Sequence, residues 1–151
     1  MWIRLRVDDL RLVAHFVGRF IIGIGLAMAV PLITGFIAGE PHAAIHYVFG
    51  MGVALLIGAA LINIDIHAGR VSHTHAFAIT ALGWLGAAAV GAVPLALSGN
   101  YGSYLDALFD AISGLTVSGL TLAADLDHMA HAHNMWRHLM QFIGGQGIVV
   151  A

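Results

Sequence analysis

The stretch that decides the fold begins Tyr104-Leu105-Asp106-Ala107-Leu108-Phe109-Asp110-Ala111-Ile112-Ser113-Gly114-Leu115 and continues Thr116-Val117-Ser118-Gly119-Leu120-Thr121. Its first half reads as a short amphipathic helix, because Leu105, Leu108, Phe109, Ile112 and Leu115 recur at helical spacing. Ser103, with Asp106 three residues on, resembles a capping box that carries Asp in place of the usual Glu. Asp106 and Asp110 fall within the first turns, where the positive end of a helix favours carboxylates. About a dozen residues cannot cross ~30 Å of hydrocarbon, and Gly114 permits a break. The second half is a string of hydroxyl and β-branched residues around a glycine, with no helical pattern. Two readings stand: an ordinary outer loop ending in a Ser/Thr turn, or a re-entrant segment with a short helix in and an extended strand out.

The flanks favour the membrane. Apolar runs cover residues 20–39, 43–62 and 76–97, each long enough to span a bilayer. A fourth begins near Asn134 and passes through Met140, Phe142 and Ile148 to Ala151, where it is still apolar; it reads as a helix cut short. Of the 151 residues 60% are hydrophobic and only 9% charged, against roughly 25% charged in ordinary soluble domains. That excludes a water-soluble monomer and a disordered chain. The net charge of −2 offers no basic field to nucleic acid. With no cysteine, disulfides, thiolate metal sites and Cys nucleophiles are excluded.

Arginines set the expected orientation. Arg4, Arg6, Arg11 and Arg19 precede the first run, Arg70 lies in the loop after the second, and only Arg137 is on the other side. By the positive-inside rule the N-terminus is cytoplasmic, while the Glu40 turn and residues 98–133 face outside. Ala27-Met28-Ala29 has the form of a signal-peptide cleavage site, but the apolar run continues past it to Pro31 and beyond, so an anchor is preferred. Irregular backbone at membrane depth survives only where it is buried in protein or lines a wet cavity. A strand there can turn its carbonyls toward an axis and replace the water around a cation.

Residues 106–121 resemble the first pore loop of the TrkH/KtrB family of potassium uptake proteins. Trp136-Arg137, with Gly144-Gly145-Gln146-Gly147, resembles the opening of the helix after that loop. Trp84 and Gly91-Ala92-Val93-Pro94 match the helix before it. The resemblance implies an all-α membrane protein: an N-terminal transmembrane helix pair, residues 1–66, then one helix–pore loop–helix repeat of a pseudo-fourfold channel, residues 67–151, with its last helix truncated. It implies K⁺ as the transported ion, bound by backbone carbonyls of Thr116, Val117, Ser118, Gly119 and Leu120, with a hydroxyl from Thr116. Gly119 falls at the family's filter glycine, which favours K⁺ over Na⁺. Asp106 and Asp110 would charge the outer mouth. The implied partners are the lipid bilayer, the remainder of the same transporter chain, a second copy in a homodimer and a cytoplasmic nucleotide-binding regulatory subunit. The implied location is the plasma (inner) membrane. No cofactor and no catalytic residue are implied, and the chain is read as no enzyme.

Other signals have competing readings. Val117-Ser118-Gly119 resembles part of the Gly-x-Ser-Gly of rhomboid proteases, which would make Ser118 a nucleophile. Thr116 stands where that motif has glycine, and no histidine lies mid-span to serve as base. An inactive helical membrane fragment is the remaining alternative. His128, His131 and His133 gather near Asp125 and Asp127 but match no compact metal motif, so a solvated loop is expected. Gly144-Gly145-Gln146-Gly147 lacks the Lys-Ser/Thr of a phosphate loop; it and the Gly35 to Gly39 pair read as helix-packing surfaces. Arg137 is expected to anchor the outer end of its helix, by snorkelling or by pairing with Asp125 or Asp127.

Overall fold

The computed structural model describes residues 7–64 and 73–150. Arg4, Arg6, Arg70, the boundary between residues 66 and 67, and Ala151 lie outside them. Six helices follow in order: α1 (Val7–Ala27), α2 (Ala29–Ile37), α3 (Pro41–Ile62), α4 (His73–Ala96), α5 (Tyr104–Leu115) and α6 (His131–Val150). There is no strand among the described residues. Three stretches are long and apolar enough to cross a membrane: the nearly continuous α1–α2, then α3 and α4. α6 runs through 20 residues to the last one described but is diluted by His131, His133, Asn134, Arg137, His138 and Gln141.

The first helix starts well before the apolar run that predicts it at residue 20. Asp8 and Asp9 sit in its first turn, where they complement the helix dipole. Leu12, Val13 and Val17 then carry a buried stripe through the polar-looking segment. The break at Met28 follows from Pro31, whose missing N–H and ring disturb the turn before it. Glu40 precedes α3, whose first residue is Pro41, where a missing N–H costs nothing.

α1 lies on α3 and α4, and α2 packs between α3 and α6. At one end of the bundle His15 donates from Nδ1 to the Ile62 carbonyl at 2.9 Å, and Asp9 meets His75 at 2.9 Å. At the other end Glu40 meets His131 at 2.8 Å, which brings the starts of α3 and α6 together.

The packing is through small residues. A Cβ on Gly18 would lie 2.9 Å from the Gly58 carbonyl oxygen, and one on Gly25 would lie 2.8 Å from Ala54 Cβ. Only glycine or alanine lets α1 and α3 run this close. The interior is rich in alanine: Ala44, Ala54, Ala87, Ala92, Ala107, Ala111 and Ala132 are all fully buried. Trp136, Tyr47, Leu95, Leu115 and Met140 are the large side chains fully enclosed among them, while many others are turned outward, Ile37, Leu56 and Phe77 more than 70% exposed. The Gly35 to Gly39 pair divides its roles. Gly35 packs against Ala44 and Ala132, whereas Gly39 faces open space and adopts φ +74° to turn the chain into α3.

Candidate functional site

α5 begins as its sequence predicts. Ser103 is extended at φ −152°, its Oγ accepts the Asp106 N–H at 3.2 Å, and its hydroxyl donates to Asp106 Oδ2 at 2.9 Å. Tyr104 ties the first turn to α4 by donating to the Ala89 carbonyl at 2.7 Å. The helix then descends until the Leu115 carbonyl rests on Gly144 of α6, where any Cβ would collide with it. Gly144 is thirteen residues into α6, so this contact lies about 20 Å below the end at which α6 starts. Residues 116–130 carry the chain back up to His131. Near the rim the Ala124 N–H donates to the Asn100 carbonyl at 2.9 Å.

Asp110 is the centre of a buried staple. Its Oδ2 accepts from Tyr101 at 2.6 Å and from Arg137 Nε at 2.8 Å, joining the loop before α5, α5 itself and α6. Burial, and then the hydrogen bond to Asp110, hold the Tyr101 phenol well above its ordinary pKa. The expected partners of Arg137 were Asp125 or Asp127; the structure gives it Asp110 instead. The reason is register. Arg137 lies a turn and a half into α6, level with the middle of α5, while Asp125 and Asp127 remain at the rim. Trp136, fully buried, donates from Nε1 to the Gly91 carbonyl at 2.9 Å and locks α6 to α4.

Beyond α5 the backbone leaves helical geometry in a defined way. Thr116 caps the helix, Val117 takes φ +59° and Gly119 φ +73°. The N–H groups turn back: Val117 donates to Gly114 at 2.9 Å and Ser118 to Ser113 at 3.0 Å. Among the described residues, no carbonyl from 116 to 120 accepts a hydrogen bond. All five residues are exposed. The hydroxyls are bound locally, Thr116 Oγ1 to the Ile112 carbonyl at 2.8 Å and to Ser118 Oγ at 2.8 Å. Ser118 also reaches Ser113, and among the described residues no histidine bonds to it.

Behind this segment α6 presents Gly144 to Leu115 and Gly145 to Val117, with Met140 and Gln141 beside them. A Cβ on Gly114 would sit 3.3 Å from Met140 Cβ, and one on Gly145 would sit 3.9 Å from Val117 Cγ2. Gly147 lies against the Trp84 ring, where a Cβ would come within 2.8 Å. The packing role read from Gly144-Gly145-Gln146-Gly147 is what the structure shows at Gly144 and Gly147.

The histidines do not gather. His128 pairs with Asp125 at 2.8 Å in the exposed loop, and His131 reaches Glu40. His133 is buried, shares a hydrogen bond with Tyr47 at 2.9 Å and stacks on His46. His131 and His133, two apart on a helix, point to different sides. Among the described residues no three His, Cys, Asp or Glu side chains could hold a metal ion together. Sequence reasoning missed the His133–Tyr47 and Arg137–Asp110 pairs, since neither has a local spacing signal.

Apolar spanning helices, small-residue packing and a half-length helix that enters and leaves by one end define an all-α membrane protein. A family model described as TrkH, cation transport protein, matches residues 46–151. The chain belongs to this family. It is 32% identical to an uncharacterised cation transporter of Methanocaldococcus jannaschii over 97% of the chain and 31% of that protein. It is 30% identical to the Trk system potassium uptake protein TrkH of Halomonas elongata over 94% of the chain and 30% of that protein. Its identity to the Escherichia coli K12 protein of the same name is 32%, over 93% and 29%. The chain thus spans about three-tenths of the length of the curated relatives it matches. These are transporters and not enzymes, so the family gives Ser118 no role as a nucleophile.

Proposed function

We propose that this chain is the N-terminal part of a potassium uptake transporter. Residues 1–66 form its helix pair and residues 67–151 the first of four helix–loop–helix repeats. Thr116, Val117, Ser118, Gly119 and Leu120 supply one quarter of the filter. The observation that carries the reading is the run of five exposed residues, directly after α5 and about 20 Å along α6 from its start, whose carbonyls accept no hydrogen bond among the described residues. Carbonyls in that state replace the hydration shell of a cation. The C-terminal end of α5 adds its partial negative charge at the same place. A β-branched residue at positive φ is costly, roughly 1–3 kcal/mol, and persists only where the surroundings impose it; Val117 is such a residue.

Asp106 is the carboxylate on α5 that charges the outer mouth, with Asp125 and Asp127 beside it. Asp110 supports the loop from behind, because its charge is balanced by Arg137. The exposed face of α5, including Phe109 and Ile112, packs against the remainder of the same chain. The chain lies in the plasma (inner) membrane with its N-terminus cytoplasmic. It works as a homodimer with a cytoplasmic nucleotide-binding regulatory subunit.

The test is Gly119→Ser in the full chain. A Cβ there meets nothing nearer than Gln141 Nε2 at 4.0 Å, so the damage comes from φ +73° and not from crowding. K⁺ uptake should fall and Na⁺ discrimination weaken while the protein still inserts and melts normally. Unchanged uptake and discrimination would remove the filter assignment.

A further inference from the structure

A groove of about 510 Å³ opens on the outer surface of the bundle between α1, α4 and α6, lined by Phe16, Arg19, Phe20, Gly83, Trp84 and Gly147 among others. It is apolar except at one end, where Arg19 sits exposed with its guanidinium 5.5 Å from the Phe16 ring centroid. Among the described residues Arg19 has no acidic partner. An unpaired cation beside an apolar groove in a membrane protein asks for an anion that carries its own hydrocarbon.

The depth fits. Arg19 lies eighteen residues before Ile37, where α2 ends, or about 27 Å along the helix. The hydrocarbon layer is ~30 Å thick. With Ile37 at one boundary, Arg19 falls just inside the other, and its long side chain reaches the headgroups by snorkelling. Trp84 lies twelve residues before Ala96, where α4 ends at the same face as α2, or about 18 Å down. The groove therefore runs from the headgroup level at Arg19 into the acyl region at Trp84. The glycines at 83 and 147 make its floor, with Phe20 and Trp84 as a tilted aromatic pair 6.3 Å apart on its wall.

We propose that this groove binds one anionic phospholipid from the leaflet at the N-terminal end of α1. Its phosphate pairs with Arg19 and an acyl chain lies along Phe20, Gly83 and Trp84. Electrostatics select the headgroup class and the groove selects a lipid over a soluble phosphate.

The experiment is native mass spectrometry of the full chain taken from bilayers of equal phosphatidylglycerol and phosphatidylcholine. The unmodified protein should retain phosphatidylglycerol preferentially. Arg19→Gln should lower that retention about fivefold, the factor one arginine contributes at an anionic surface, and leave retained phosphatidylcholine unchanged. Arg19→Lys should restore it. Thr80→Trp, which fills the groove from an exposed position, should lower retention with Arg19 intact. Glycerol phosphate without tails should fail to displace the lipid. Equal retention of both lipids, retention indifferent to Arg19→Gln, or displacement by glycerol phosphate would each overturn the proposal. So would a photocrosslinker at Thr80 that captures a protein segment and no lipid.

Discussion

Alanine at position 144 is the smallest change that should disable the loop. The new Cβ would lie 2.7 Å from the Leu115 carbonyl carbon and 2.9 Å from its Cα, and it would overlap the carbonyl oxygen outright. Ordinary contact begins near 3.4 Å, so the Leu115 backbone must retreat by at least 0.7 Å to clear its carbonyl carbon, and further to clear the oxygen. Every atom in the way is backbone, and no rotamer change relieves it. α5 cannot slide upward, because Tyr104 is held to Ala89 and Asp110 to Arg137. α6 cannot swing back, because Trp136 is bonded to Gly91 and Gly147 abuts Trp84. The displacement passes into residues 116–119. A binding constellation tolerates about 0.5 Å, so 0.7 Å is enough to damage it. Overpacking of this kind costs about 1–3 kcal/mol, and K⁺ uptake should fall about tenfold. The assay is K⁺ uptake by the full chain in cells lacking their own uptake systems, beside thermal unfolding of the purified protein. Gly145→Ala is the paired comparison. Its Cβ would meet Val117 Cγ2 at an ordinary 3.9 Å, so uptake should hold and helix propensity should add up to about 1 kcal/mol. A Gly144→Ala protein that transports and melts like the unmodified one would refute the close approach, and with it the argument that α6 sets the position of the loop.

Two further predictions concern the supports. Arg137→Gln leaves the Asp110 carboxylate buried and uncompensated, a loss of about 3–5 kcal/mol in thermal or denaturant unfolding. Asp110→Asn in the same protein should recover much of it, and no recovery would mean the pair is not coupled. The Glu40–His131 contact should give a pH dependence. Burial pushes the Glu40 carboxyl up, but hydrogen bonds from the His131 ring and from the backbone N–H groups of His131 and Ala132 outweigh it. The pKa therefore lies below the ordinary 4.5. A lowered carboxylate pKa means stability present above that ordinary value and lost as pH falls through the lowered one. Melting temperature followed from about pH 6 to pH 3 should drop less in His131→Ala than in the unmodified protein; equal drops would dismiss the contact.

Local chemistry was readable in the sequence and long-range pairing was not. The limits of α5 follow from Ser103, Asp106 and the leucine spacing, all within one turn of where they act. The apolar runs locate three spans, because the bilayer demands length and composition and little else. Residues 7–19 escaped that reading, since an apolar count sees Asp8, Asp9, Arg11, His15 and Arg19 before it sees the stripe of Leu12, Val13 and Val17. Arg137 was correctly placed as an anchor yet given the wrong partner. The nearest acids in sequence, Asp125 and Asp127, are carried away by the returning loop, and Asp110 arrives through a helix that reverses direction. The solvated loop expected of the histidines is found at His128, whereas His133 falls on the inner side of α6 and is buried against Tyr47, a partner 86 residues away in the chain.

The alanine and glycine interior inverts a familiar rule of mutational tolerance. In a water-soluble core a truncated leucine is the costly change, because hydrocarbon removed from the inside leaves a hole. Here Leu56 faces the surroundings and Ala54, two residues away, is fully enclosed. Trimming the exposed Leu56 opens no enclosed hole, whereas one added methyl at Gly18 or Gly58 wedges α1 from α3. Along these seams the limit on substitution is therefore an upper bound on side-chain size, set by how near α1 and α3 approach.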